Sequence, residues 1–232
     1  MHTITLAGPP SVGKTAIIAH AIRGLLAAGR KPAAVKFDTR SPMDAERLKR
    51  DFSIPTISGL SGYLCPDHYF VSNMEEAMDW GAHRGADVLF VETAGLCLRC
   101  APHIEGIPAV TVVDCLGGFD VPAKMGPMLS CADLIVVTKG DLVSQAEREV
   151  FVHGLPHSAP RAEILLINGL AGTGVRALLR WLDRQPESAN AATARLRHDM
   201  PASICSYCTG ERRIGRVYQT GNVEKLDWRA AP

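Results

Sequence analysis

The chain of 232 residues carries almost no net charge: 25 basic and 24 acidic side chains leave a formal balance of +1. That near-neutrality excludes a protein whose main task is to neutralise nucleic-acid phosphates, because such binding needs a clear basic excess. Long apolar runs are also missing. The most apolar stretch, Ala16 to Ala28, is interrupted by His20 and Arg23, so no membrane span is expected. The first residues alternate apolar side chains with Thr and His and run into a glycine loop, without the basic start and apolar core of a secretory signal. Internal repeats and low-complexity tracts are absent. A hydrophobic fraction of 47 % with 21 % charged residues is close to the globular average and excludes wholesale disorder. The expectation is a cytoplasmic α/β protein with no nucleic-acid or membrane partner, long enough to bury a core without disulfides.

What stands out against this average background is cysteine. There are seven: Cys65, Cys97, Cys100, Cys115, Cys131, Cys205 and Cys208. Four of them form two C-x-x-C pairs. An odd count without a secretory signal fits thiols kept for metal or redox work better than a disulfide framework.

Short β-branched runs alternate with helix-like segments. Strands are expected at Thr3–Leu6, Ala33–Phe37, Val88–Val91, Ala109–Val113, Leu134–Thr138 and Ile164–Ile167. Most are continuous apolar runs, as expected when helices cover both faces of a sheet. Helices are expected from about Lys14 to Ala28, stopped by Gly29, and at Met43–Asp51, Met74–Arg84, Pro122–Ser130, Ser144–Gly154 and Val175–Asp183. This alternation predicts a mostly parallel sheet with right-handed crossovers. The pattern changes after Gln185. Residues 186–199 are small and polar and read as a linker, and 200–232 as a small Cys-containing β extension. In it, Arg216–Gln219 and Val223–Trp228 flank a Thr-Gly-Asn turn and read as a hairpin.

Gly8-Pro-Pro-Ser11-Val12-Gly13-Lys14-Thr15 matches G-x-x-x-x-G-K-[ST] between an expected strand and an expected helix. In such a loop, backbone N–H groups surround phosphate oxygens. Lys14 adds charge at the terminal phosphates, and Thr15 offers a hydroxyl to Mg2+. The expected fold is therefore a three-layer α/β/α P-loop NTPase spanning residues 1–185. Thr138-Lys139-Gly140-Asp141, closing a strand, has the form of a guanine-reading motif. The Asp141 carboxylate can accept from guanine N1–H and the 2-amino group, which adenine cannot offer, while the Lys139 stem packs on the ring. Asn168-Gly169-Leu170 begins the loop expected to rest against the guanine oxygen. GTP is accordingly favoured over ATP. Glu92, an acid ending a buried strand, suits a magnesium-bound water, and Gly95 permits close backbone approach to the γ-phosphate.

The ordered set GPPSVGKT, Phe37-Asp38-Thr39 with Met43-Asp44-Ala45, Glu92-Thr-Ala-Gly95, Val110-Thr-Val-Val-Asp114, TKGD and NGLAGTG resembles the SIMIBI-class GTPases. Within them it is most similar to the metallochaperone branch of HypB, UreG and CobW. The likeness covers roughly residues 1–183. The loop lacks the extra early lysine of the class's ATPases. The resemblance implies that Asp38 is the switch aspartate, near Mg2+ and the attacking water; a helix cap or loop acid is the alternative. With Lys14 and Glu92 it makes up the expected catalytic set, and with Thr15 and Glu92 the expected magnesium set. The resemblance also implies a homodimer that serves a client metalloenzyme or its assembly factor.

Cys97-Leu-Arg-Cys100 lies where the γ-phosphate sensor is expected, and two thiolates at this spacing are half of a common zinc or iron–sulfur site. Arg99 between them is a candidate arginine finger. Cys205-Ser-Tyr-Cys208 could complete a four-thiolate site for Zn2+ or a [4Fe–4S] cluster, if the tail folds back or two chains meet. Alternatively, each pair could work across a two-fold axis with its own copy. A dithiol–disulfide role also stays open. Cys65-Pro-Asp-His68 resembles the family's C-P-H segment, in which Cys and His bind nickel or zinc, although His68 lies three positions on instead of one or two. Cys115 and Cys131, beside apolar strands, read as small core residues. Arg212, Arg213 and Arg216 make a local basic patch, either a solvated face or a docking surface. The expected activity is nucleotide-controlled metal delivery. Its rivals are a cluster-bearing redox protein gated by nucleotide, and a regulatory switch with structural zinc.

Overall fold

The computed structural model describes residues 1–41, 43–95, 101–198, 206 and 209–229. Cys97, Cys100, Cys205 and Cys208 lie outside the described residues, as does Arg99. In chain order the elements are β1 (His2–Ala7), α1 (Lys14–Ala27), β2 (Pro32–Asp38), α2 (Met43–Phe52), β3 (Thr56–Leu60), α3 (Pro66–His83), β4 (Val88–Thr93) and β5 (Ala109–Asp114). Then come two short helices, α4 (Val121–Lys124) and α5 (Pro127–Ser130), followed by β6 (Leu134–Thr138), α6 (Gln145–Ser158), β7 (Glu163–Leu166) and α7 (Val175–Asp183).

The seven strands form one sheet in the order β3-β2-β4-β1-β5-β6-β7, and every ladder is parallel. Buried residues pack on both faces. On one, α1, α2 and α7 bring Ile17, Leu48 and Trp181 against Ile4, Phe90, Val110 and Val136. On the other, α3 brings Phe70 and Met74 against Phe37, Leu89 and Val91, and α5 and α6 bring Met128 and Phe151 against Ile135 and Val137. The result is the expected three-layer α/β/α P-loop architecture, with the loops that carry the motifs gathered at the carboxyl ends of the strands. Among the described residues no helix is long and apolar enough to cross a membrane.

Several elements differ from expectation for identifiable reasons. β3 was not anticipated because Ser58-Gly59 breaks its apolar run. Gly59 is nevertheless required there, since a Cβ would sit 2.8 Å from the Tyr69 ring and 3.0 Å from Phe37. Helix α3 starts at Pro66, eight residues before the expected Met74. Its first two turns bury Asp67, His68, Ser72 and Asn73 along with the apolar residues. A helix buried on nearly every side shows no polar face to betray its period. The single helix expected at Pro122–Ser130 is two, separated at Gly126, whose φ of 46° ends one and admits Pro127 as the first residue of the next.

The expected C-terminal hairpin makes no ladder among the described residues. Side chains of α3 take its backbone groups instead: Arg216 N donates to Glu75 Oε2 (2.7 Å), Leu226 N to Asn73 Oδ1 (2.8 Å), and Asn73 Nδ2 to the Glu224 carbonyl (2.9 Å). The stretch expected as a linker buries Ala191, Ala194 and Leu196 in the α3 face of the core. Arg197 fastens it with a two-toothed pair to Asp133 (2.7 Å for each bond) and further bonds to the carbonyls of Ile104, Ile107 and Cys131. The arginine patch is neutralised internally. Arg212 pairs with Glu105, Arg213 with Glu211, and Arg216 with Glu75 and Asp79.

Candidate functional site

The loop from β1 to α1 is held open by backbone that only particular residues tolerate. Gly8 has φ 140° and Gly13 φ 98°, and Ser11 between them also takes a positive φ of 63°. A Cβ on Gly8 would lie 2.1 Å from the Val112 carbonyl of the neighbouring strand. Val12 beneath the loop is buried, and its carbonyl accepts from Thr138 Oγ1 at 2.6 Å, tying the phosphate loop to the start of TKGD. Lys14 Nζ donates to the carbonyls of Gly8 and Pro9 (2.8 Å each) and Ala94 (3.3 Å). Burial lowers the Lys14 pKa to about 8, with Lys36 adding to the effect and Glu92 opposing both. A phosphate anion in the loop would give this ammonium the counter-charge that carbonyls only approximate.

Next to it lies a compact group of oxygens. Thr15 Oγ1 is 3.0 Å from both Glu92 carboxylate oxygens and 3.2 Å from Asp44 Oδ2. Glu92 is 2 % exposed. Burial raises its pKa, with the charges of Lys36 and Lys14 pulling the other way. Asp38 ends β2; its Oδ1 accepts from Thr39 N at 2.7 Å, and its Oδ2 lies 3.8 Å from Lys36 Nζ. These residues and the phosphate loop line one cleft of about 480 Å³. An all-oxygen donor set of hydroxyl and carboxylates fits Mg2+. Among the described residues no group of three or more His, Cys, Asp or Glu side chains could hold a metal by itself. Mg2+ here would therefore also draw on phosphate and water oxygens, its usual habit.

Two members of this group have no role assigned by the motifs: Asp44, on the first turn of α2, which belongs to the Met43-Asp44-Ala45 part of the family likeness, and Lys36, in the middle of β2. Lys36 interrupts the apolar run Ala33-Ala-Val-Lys-Phe, and that was the available signal. A lysine buried in a central strand needs a partner, and Lys36 stands directly opposite Glu92 in the β2–β4 ladder. Burial works to lower its pKa, but Glu92 and Asp44 outweigh burial and raise it; the same Lys36 contact holds Asp44 below the usual carboxylate range against its own burial.

The motifs expected to read the base sit at the ends of β6 and β7. Lys139 has φ 55°, and its Nζ pairs with Asp114 Oδ2 at 2.7 Å. Asp141, Gly140, Arg148, Asn168 and Thr173 line a second cleft of about 260 Å³. Asn168 Oδ1 accepts from the N–H groups of Leu170 and Ala171, both at 2.8 Å, shaping the loop and leaving Leu170 exposed. The Gly169 carbonyl lies 3.1 Å from His20 Nε2.

The metal candidates are distributed differently. Cys65 is exposed at the N-cap of α3, whereas His68 is buried within its first turn. Burial lowers the His68 pKa, while hydrogen bonds with the Gln219 side chain and the Asn222 backbone oppose it. Asp67, beside it, is fully buried; Thr93 Oγ1 donates to its Oδ1 at 3.1 Å, and Oδ2 has no partner among the described residues. Burial pushes the Asp67 carboxyl up to about 6, with the Thr93 bond and Lys14 opposing. Cys115 is buried and Cys131 half-buried, both with pKa values raised chiefly by burial, as inert core thiols should be.

A glycine loop around a buried lysine, at the carboxyl ends of an all-parallel sheet and beside an acid closing β4, defines a P-loop nucleotide-binding protein. Residues 2–166 match the family described as CobW/HypB/UreG, nucleotide-binding domain. An uncharacterised protein of Methanocaldococcus jannaschii is 40 % identical over 227 residues, which cover 98 % of this chain and 97 % of that one. The urease accessory protein UreG of Streptomyces coelicolor is 32 % identical over 191 residues, covering 77 % of this chain and 84 % of that one. The structure of hydrogenase maturation factor HypB from Archaeoglobus fulgidus superposes with a TM-score of 0.65 at 26 % identity, covering 79 % of this chain and 89 % of that one. The chain belongs to the CobW/HypB/UreG family.

Proposed function

We propose that this chain is a magnesium-dependent GTPase that couples its nucleotide state to a thiolate metal site and delivers the metal to a cytoplasmic client metalloenzyme or that enzyme's assembly factor. The relatives' names, urease accessory protein and hydrogenase maturation factor, support the delivery role. In this reading Lys14 holds the terminal phosphates, Thr15 and Glu92 hold Mg2+ directly or through water, Asp38 orients the attacking water, and Asp141 reads guanine. Bound Mg2+ would supply charge stabilisation for phosphoryl transfer.

The observation that carries the coupling is the Thr93–Asp67 hydrogen bond of 3.1 Å. Glu92 faces the Thr15 hydroxyl, and the next residue, Thr93, holds the first turn of α3, whose N-cap is Cys65. The same strand leads in sequence through Gly95 to Cys97 and Cys100. One strand end thus serves both the phosphates and the segments that bear thiols.

The proposed metal ligands are Cys65, Cys97, Cys100, Cys205 and Cys208, with His68 beside them. Thiolates with imidazole suit zinc or nickel. The tail contacts support a role for the second pair: Ser206, next to Cys205, meets Gln219 Oε1 at 3.3 Å, and the Gln219 side chain also bonds His68. Exposed Leu60 and Tyr63, close in sequence to Cys65, support a surface for a second copy in a homodimer.

The test is metal analysis of anaerobically purified full chain, with and without a non-hydrolysable GTP analogue and Mg2+. Zinc or nickel content per chain is expected to change with the analogue in the wild type and to become indifferent to it in Thr93→Val, which still binds GDP. Metal content independent of nucleotide in the wild type overturns the coupling. A visible charge-transfer absorbance would replace the zinc or nickel site with an iron–sulfur cluster.

A further inference from the structure

The Lys36 ammonium occupies the position where the oxygens of the magnesium set converge. Its Nζ is 2.9 Å from Thr15 Oγ1, 3.2 Å from Glu92 Oε1 and 3.8 Å from Asp38 Oδ2, and it contacts Asp44 Oδ2 more closely than any of these. Lys36 is 5 % exposed, and its place opposite Glu92 in the β2–β4 ladder directs the two side chains to the same side of the sheet. The contact is therefore a consequence of strand register.

Without Lys36 or a metal ion, Glu92 would be a buried carboxylate with no cation in contact and only the charge of Lys14 nearby, an unfavourable arrangement. Lys36 supplies that charge from within the chain. Mg2+ binds its oxygens at about 2.0–2.1 Å. An ion held so by Thr15 and Glu92 would lie within van der Waals reach of an ammonium that contacts the same atoms, and the two positive charges would repel. The two cations exclude each other. The lysine stem can rotate, and the cleft lined by Lys14, Gly13 and Ser11 opens alongside. Triphosphate oxygens there would receive the displaced ammonium.

We propose that Lys36 is a tethered counter-ion that keeps the divalent-cation site closed until nucleotide phosphates draw its ammonium away, so that Mg2+ and nucleotide load together and the metal does not bind tightly alone. The inference rests on the nucleotide and magnesium reading given above. It adds that Lys36 neutralises the carboxylates of the cleft from within the chain, and that cooperativity between metal and nucleotide is built into β2.

The test compares wild type with Lys36→Met in the full chain, using Mn2+ as the probe and the loss of the free-ion electron paramagnetic resonance signal as readout. Without nucleotide, Lys36→Met is expected to bind one Mn2+ at least tenfold more tightly than wild type. Mn2+ is also expected to raise the melting temperature of the variant and not that of the wild type. Adding Asp44→Asn to the variant should return Mn2+ affinity toward the wild-type level, which assigns the ion to this cleft. In parallel, the stimulation of GDP binding by Mg2+ is expected to shrink at least threefold in Lys36→Met. Lys36→Gln retains an N–H donor for Glu92 and is expected to show the same Mn2+ gain, should the methionine variant not fold. Mn2+ affinity within twofold of wild type in a folded variant overturns the proposal. Failure of both proteins to bind GDP would strike the nucleotide reading instead, while the manganese comparison, which contains no nucleotide, still decides the role of Lys36.

Discussion

Gly95 rests its Cα against the carbonyl of Gly8, so closely that a Cβ at position 95 would fall 1.8 Å from Gly8 O. The turn after β4 and the phosphate loop after β1 are thus in direct backbone contact. Gly95 also has φ 68°, which strains any other residue. Gly95→Ala must push the two loops apart. It is expected to weaken GDP binding at least tenfold and to cost about 1–3 kcal/mol of stability. For a chain of this size that is roughly 2–12 °C in melting temperature. Calorimetric titration with GDP and a thermal melt check both; unchanged affinity would show that the contact does not shape the phosphate site.

Asp141 lines the second cleft, and the neighbouring Gly140 carbonyl accepts from Arg148 Nη1 at 3.1 Å. Its carboxylate offers two acceptors to the two donors on the guanine edge. An amide offers one acceptor and one donor, which suits xanthine, where a carbonyl replaces the 2-amino group. Asp141→Asn is therefore expected to lose about 10- to 100-fold in GDP affinity, the worth of one good bidentate pair, and to gain affinity for xanthosine diphosphate. Competition binding with the two diphosphates reads the exchange directly, and equal loss for both would mean that Asp141 serves the fold instead of the base.

The parts of the molecule legible from residues alone are those in which one physical demand dominates. A strand covered on both faces is dominated by apolar residues, so β4 to β6 read plainly, β1 and β2 do so despite Thr3, Thr5 and Lys36, and β7 reads within a residue. A backbone that wraps phosphates needs glycine at fixed positions, so Gly8, Gly13, Lys14 and Thr15 stood out. Where two demands compete, the pattern is obscured. Gly59 is imposed by packing against Tyr69 and Phe37 and disguises β3 as a turn. The start of α3 buries Asp67, His68 and Asn73 because they bond Thr93, Gln219 and the tail backbone, partners distant in sequence. Lys36 and Asp44 belong to the site through strand register and a helix start, neither of which a tetrapeptide motif expresses. The tail alternates like a hairpin, yet its backbone partners belong to α3, and only the folded chain reveals that competition.

His103, whose role the residues alone leave open, is a buried neutral base. It is 0 % exposed; its Nδ1 lies 3.0 Å from Thr5 Oγ1 and its Nε2 3.1 Å from Thr111 Oγ1. Thr111 donates its proton to the Met128 carbonyl at 2.7 Å, so it accepts from Nε2–H, and Nδ1 accepts from Thr5. Burial lowers the His103 pKa to about 3, with the Arg197 charge acting in the same direction and Asp133 against it. The folded protein therefore refuses a proton that the unfolded chain accepts below its ordinary pKa of 6.5. The sign follows: unfolding binds protons between about pH 3 and 6.5, so stability from this group is intact above that window and falls as pH falls through it. Between pH 7.5 and pH 5 the loss from His103 amounts to about 2 kcal/mol. His103→Gln keeps a donor for Thr111 and an acceptor for Thr5 but cannot titrate. Whatever its stability at pH 7.5, it is expected to lose about 2 kcal/mol less than wild type on going to pH 5. Urea unfolding of both proteins at the two pH values gives this double difference and removes the contributions of all other titrating groups. Parallel losses would mean that the imidazole is protonated in the folded core, with Thr5 Oγ1 turned to donate to the Pro108 carbonyl, which lies 3.3 Å from it.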